Sequence, residues 1–239
     1  MTLPWTTIES VKTPEGALAL QRRGERDYLI TVDGRVLMNS VAHQSEAALG
    51  TLACRGLADR TRPRVLVGGL GMGFTLRAVL DALPSSARVT IAELNPVVVA
   101  WCRGPIAHLT GGAAIDPRVT VVVGDFAEAL RAAATAPEPL DAIVIDLYVG
   151  PDDDTSSRDP LYGTRACERA FAALRPGGTF AVWAEAFHES YARRLRAAGF
   201  TVDHERPARG ARRFVVYLAT RPAPVERRPA RGEPRRRTR

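Results

Sequence analysis

Residues 64–73 read RVLVGGLGMG, and Glu93 stands twenty positions past the last glycine of that stretch. Val65, Leu66 and Val67 form a short apolar run of the kind that makes a buried strand. Gly69, Gly71 and Gly73 then let the backbone turn tightly and press against a ligand. A helix starting near Phe74 points its positive end at whatever occupies the turn. The next apolar run, 89–92, ends in Glu93, whose carboxylate at this spacing reaches a ribose diol. The pattern is that of a nucleoside-binding half-site.

From 64 onward strands and helices alternate. Strands are predicted at 64–68, 89–93, 119–123, 141–146 and 178–183, with helices at 74–83, 96–103, 126–135, 164–174 and 188–198. Such alternation gives an α/β fold, a doubly wound, mostly parallel sheet with helices on both faces and ligands at the carboxyl ends of its strands. Two last strands, 200–205 and 213–219, have no helix between them and should pair antiparallel at a sheet edge, as in methyltransferase-type, Rossmann-like sheets. Upstream, 6–10, 17–21, 28–32 and 35–39 alternate apolar and polar residues around the turn signals at 14–16 and Asp33-Gly34, a small antiparallel β appendage. An amphipathic helix over 44–58 follows, with Ala47, Ala48, Leu52 and Leu57 on its apolar face. The expected domains are the appendage at 1–40, a catalytic domain at 41–220 and a tail at 221–239.

With 46% hydrophobic and 25% charged residues, the chain can bury a sizeable core. Neither a run of eighteen apolar residues nor a signal-like start is present, so a cytoplasmic protein without membrane contact is expected. Cys54, Cys102 and Cys167 are far apart and odd in number, which points away from disulfides and zinc. Of the net charge of +7, residues 221–239 carry +6 on eight arginines and two glutamates, leaving the body nearly neutral. That Arg- and Pro-rich stretch is expected to be disordered, a solvated extension or a contact for nucleic acid or an acidic partner.

The glycine turn lacks the third glycine of a dinucleotide fingerprint, because Phe74 occupies its place and Gly73 makes the pattern G-x-G-x-G. An adenosyl donor without a pyrophosphate fits better than NAD. Asp125, at the end of 119–123, can accept from an adenine amino group with Phe126 against the ring, or cap the helix that follows, or do both. Asp146 is delivered to the carboxyl edge beside Tyr148, before a long loop at 149–163 that suggests a lid or substrate loop. An amine attacking a sulfonium carbon must lose a proton; Asp146 can take or orient it, and the Tyr148 ring can line a cationic centre. The alternative for Asp146 is a cap on local backbone. Asp152, Asp153 and Asp154 lack an EF-hand spacing, and His43, His108, His188 and His204 form no ligand pair, so no metal is expected.

The glycine turn, AELNP with Glu93, DPRVTVVVGD with Asp125, DAIVID with Asp146, LYG and LRPGGTFAV together make the chain resemble the spermidine synthase family, the polyamine aminopropyltransferases, over about residues 5–220. The resemblance implies that Glu93 holds the donor's ribose, Asp125 its adenine, and that Asp146 is the catalytic carboxylate. It also implies a substrate-side polar residue at Gln44 or Ser45, before Glu46, and a homodimer formed through the appendage. Two positions depart from the family: Met72 and Val149 stand where diamine-using members carry aspartates that hold ammonium groups. Losing two charge-assisted bonds, each worth about 1.5–3 kcal/mol, disfavours putrescine as acceptor. The expected function is alkyl transfer, methyl favoured, from S-adenosylmethionine to a less cationic amine-like acceptor. Aminopropyl transfer from decarboxylated S-adenosylmethionine is the alternative, and a nonenzymatic protein binding nucleic acid or protein through its tail is the alternative of another class.

Overall fold

The computed structural model describes residues 3–206 and 214–223. Four strands, β1 (Thr6–Thr13), β2 (Gly16–Arg23), β3 (Asp27–Val32) and β4 (Arg35–Asn39), make an antiparallel sheet in sequence order. Its β3–β4 hairpin turns on Asp33 and Gly34, both at positive φ (46° and 77°), as a two-residue turn requires. Asp33 also accepts the Ala17 N–H at 2.8 Å, tying that turn to β2.

The second sheet has seven strands: β5 (Arg64–Gly68), β6 (Arg88–Glu93), β7 (Val119–Val123), β8 (Leu140–Ile145), β9 (Leu174–Ala184), β10 (Thr201–Glu205) and β11 (Val215–Thr220), in the order β10-β11-β9-β8-β5-β6-β7. β5 lies parallel between β6 and β8, so chain direction across the sheet reverses there and leaves a crevice at its carboxyl end. β11 runs antiparallel to β9 and carries β10 on its outer side, so of these two last strands β10 is the edge, and β7 is the edge on the other side. The helices are α1 (Gln44–Ala53), α2 (Phe74–Asp81), α3 (Pro96–Arg103), α4 (Phe126–Ala134), α5 (Thr164–Ala173) and α6 (Glu189–Ala197). Two 3-10 turns, Ala107–Thr110 and Ala113–Ile115, fill the connection from α3 to β7, which the sequence pattern left without an element.

The expected helix over 44–58 stops at Ala53, and its buried face is Glu46, Leu49, Gly50 and Ala53 rather than the predicted stripe. Gly50 explains the difference. A Cβ there would stand 2.7 Å from the Thr75 carbonyl oxygen, so α1 and α2 cross with backbone nearly touching. The appendage is fastened to the large sheet by the Trp101 indole, which donates to Glu9 at 2.6 Å.

Of the stretch 221–239 expected as a tail, residues 221–223 are described. The Arg221 guanidinium donates to the Phe171 and Leu174 carbonyls at 2.9 and 2.6 Å and stacks 4.7 Å from the Phe171 ring centre, satisfying carbonyls at the end of α5. The remainder of that stretch, 224–239, lies outside the described residues. Among the described residues, no helix is long and apolar enough to cross a membrane.

Candidate functional site

A cavity of about 430 Å³ opens at the carboxyl ends of β5, β6, β7 and β8. Gly69, Gly71, Glu93, Asp125, Phe126, Asp146 and Tyr148 all stand on its wall, gathered from four separate strand ends. The opposite wall comes from the appendage: Leu18, Ile30, Leu37 and Met38.

The glycines are required by space as well as by conformation. Gly69, at φ +89°, would place a Cβ 2.2 Å from the Asp146 carbonyl oxygen, and Gly71, at φ +51°, would drive one into Met38. Gly73, at φ +85°, sits at the start of α2 without lining the cavity. Glu93 is 7% exposed and accepts the N–H groups of Leu70 at 2.8 Å and Asn95 at 2.9 Å, one on each oxygen. Those two bonds fix the carboxylate's plane and leave its remaining lone pairs for a diol. Asp125 accepts the Ala127 N–H at 2.8 Å as the cap of α4 and also lines the cavity. Phe126 is buried under Gly68, where a Cβ would come within 2.5 Å of the ring.

Asp146 differs from both. Its Oδ2 accepts from the Thr75 hydroxyl at 2.5 Å, and burial pushes the carboxyl up from 3.8 to about 7, opposed by that hydrogen bond and reinforced by the negative charge of Glu46. A carboxyl placed there exchanges its proton near neutral pH, as a general base must. Tyr148 is exposed at the mouth and also borders a second cavity of about 290 Å³ with Gly150, Asp152, Glu185 and His188. The loop beyond it is held down: Tyr162 donates to the Val149 carbonyl at 2.8 Å, and Arg194 donates to the Tyr162 and Thr155 carbonyls.

Three predicted substrate residues are not brought to the cavity. Gln44 is exposed on the first turn of α1, Val149 is 62% exposed beyond the mouth, and Met72 is fully buried in the core between the sheets. Leu18, Ile30, Leu37 and Met38 of the appendage give the cavity an apolar stretch of wall. Two residues that sequence reasoning did not place in the site are Thr75 and Glu46. Glu46 is 8% exposed, its carboxylate bonded to the Ser45 hydroxyl, and the one sequence signal for it is a glutamate in an otherwise apolar helix face. Among the described residues no group of three or more His, Cys, Asp or Glu is arranged to hold a metal.

No family model matches the chain. Over 167 residues, 70% of its length, it is 31% identical to the polyamine aminopropyltransferase of Mycobacterium tuberculosis, of which the match covers 30%. Over 124 residues, 51% of its length, it is 39% identical to putrescine N-methyltransferase 2 of Nicotiana attenuata, covering 31% of that protein. The chain thus spans about a third of the length of these curated relatives. The fold matches the crystal structure of spermidine synthase from Thermotoga maritima with a TM-score of 0.68 at 19% identity, over 90% of this chain and 72% of that one. It also matches human methyltransferase-like protein 13 in complex with SAH, with a TM-score of 0.56 at 18% identity, over 79% and 86% of the two chains. The chain is related in sequence to the first two proteins and shares the fold of the second two.

Proposed function

We propose that this spermidine synthase-like protein transfers an alkyl group from an S-adenosyl sulfonium donor to an amine-like acceptor. One observation carries the reading: three carboxylates from three strand ends line a single cavity, with burial raising Asp146 to about 7 and two backbone amides clamping Glu93. Glu93 holds the ribose, Asp125 the adenine amino group, and Phe126 lies against the base. The acceptor nitrogen's lone pair forms a bond to the donor carbon as the carbon–sulfur bond breaks. Its electrons pass to sulfur, which leaves as a neutral thioether. The nitrogen's proton goes to Asp146. Binding both reactants in line supplies most of the acceleration, and the carboxylate adds about 10²- to 10⁴-fold.

Methyl transfer from S-adenosylmethionine is the finer reading. Its support is the apolar wall of Leu18, Ile30, Leu37, Met38, Leu147 and Leu161, which offers an acceptor's far end no carboxylate. Aminopropyl transfer from the decarboxylated donor is favoured by the mycobacterial relative and stands second. A homodimer through the appendage goes with either. Calorimetric titration with the two donors separates the readings, because they differ by one carboxylate. Tighter binding of S-adenosylmethionine is expected; tighter binding of the decarboxylated form overturns methyl transfer, and binding of neither overturns the transferase.

A further inference from the structure

Thr75, in the first turn of α2, is 1% exposed and lies outside the cavity wall. Its Oγ1 stands 2.5 Å from Asp146 Oδ2 and 3.2 Å from the backbone carbonyl oxygen of Glu46. A hydroxyl carries one proton and two lone pairs, so it can donate to only one of these neighbours at a time. Asp146 Oδ1 has no hydrogen bond among the described residues, although Asp146 stands on the cavity wall.

We propose that Thr75 is the positioning residue for Asp146: it donates to Oδ2 while the carboxylate is ionised and turns to the Glu46 carbonyl when Oδ2 holds a proton. In both states the side chain keeps one orientation and Oδ1 remains free for the acceptor. This rests on the transferase reading above for its use, but not for its measurement.

The surroundings make the hydroxyl decisive. Glu46, packed in from α1, opposes ionisation of Asp146 by like charge, and burial opposes it more. Glu93 and Asp125 share the cavity and are acidic as well, and Tyr162, from the loop before α5, is a phenol pushed above its usual range by burial, with the charges of Asp159 and Asp146 adding to it. Among the described residues, the Thr75 hydrogen bond is what favours the charged form. Without it the carboxyl stays protonated through neutral pH, and a protonated carboxyl takes no proton from an amine. The link also ties α1 to α2 at the point where Gly50 lets them touch, so helix crossing and base orientation are set together.

The test is carboxyl carbon-13 NMR titration of the ligand-free protein, with the Asp146 resonance assigned by its loss in Asp146→Asn. Thr75→Val keeps the shape and removes the hydroxyl, and should raise the Asp146 midpoint by about one unit or more, since a charge-assisted hydrogen bond is worth about that. Thr75→Ser should restore it to within a few tenths. An unchanged midpoint in Thr75→Val overturns the proposal. If that variant does not fold, the unaltered protein decides: the Thr75 side chain and the Glu46 carbonyl carbon must titrate with the Asp146 midpoint, and flat resonances overturn it. Once turnover is measured, Thr75→Val should lower kcat at pH 7 with donor affinity unchanged. Failure of the transferase reading appears separately, as absence of donor binding by proteins whose NMR titrations behave as expected.

Discussion

Replacing Asp146 by asparagine removes a charge that folding disfavours and keeps the side chain's volume, so the variant should be more stable than the parent at alkaline pH. The carboxyl is raised from 3.8 to about 7 in the folded protein, chiefly by burial. Between those values the folded state holds a proton that the unfolded chain has released. Stability rises with pH only where the unfolded state binds more protons, so here it falls. The contribution of Asp146 is fully present below pH 3.8, is lost progressively up to about 7, and is constant beyond. At about 1.4 kcal/mol per unit, the whole span is roughly 4 kcal/mol, of which about 2.5 falls between pH 5 and pH 8. Solvent reaching the side chain through the cavity mouth reduces that to about 1–2.5 kcal/mol. Urea unfolding of both proteins at pH 5 and pH 8 reads the difference directly, because every other titrating group is common to the pair and cancels. The parent should lose about 1–2.5 kcal/mol more than the variant over this interval. Parallel losses would refute the raised carboxyl and with it the case for Asp146 as a base at neutral pH.

Glu93→Gln leaves one acceptor oxygen for two backbone N–H groups, at Leu70 and Asn95, and should cost about 1–3 kcal/mol of stability and at least tenfold in donor affinity by calorimetry. Gly50→Ala improves intrinsic helix propensity by about 1 kcal/mol but drives a methyl against the Thr75 carbonyl and Ala78. A net loss of about 1–3 kcal/mol in chemical unfolding is therefore expected, and a gain would show that α1 and α2 are not in contact there. Arg221→Ala frees the carbonyls at the end of α5 and uncovers Phe171, and should lower stability by about 1–2 kcal/mol without changing donor affinity.

The large sheet was legible because each of its parts is written locally. An apolar run before glycines at positive φ, a carboxylate at the next strand end and a Pro at the first turn of α3 all act within a few residues, so strand and helix limits fall within a few positions of expectation. The neighbourhood of Asp146 is written otherwise. Thr75 meets it across 71 positions and Glu46 meets Thr75 across 29, separations that no local pattern encodes. The face of α1 was misread for the same reason: Glu46 and Gly50 are buried there by contact with α2, and hydrophobic periodicity registers neither a glutamate nor a glycine as inward.

Met72 and Val149 stand apart from the cavity wall. Each occupies a position where an aspartate would matter if it faced the ligand, yet one is turned into the core and the other out to solvent. Under the proposed chemistry the acceptor's surroundings come from Leu18 on β2, Ile30 on β3 and Leu37 and Met38 on β4, which line the cavity beside the glycine turn. Met38 is pressed so near Gly71 that no side chain fits between them. The proposed chemistry thus assigns the nucleoside end of the cavity to the seven-stranded sheet, where backbone amides hold Glu93 and Asp125, and the acceptor end to the appendage. Under the proposed chemistry, a change of acceptor needs only new side chains on the inner face of β2, β3 and β4, leaving Glu93, Asp125 and Asp146 where the parallel strands put them.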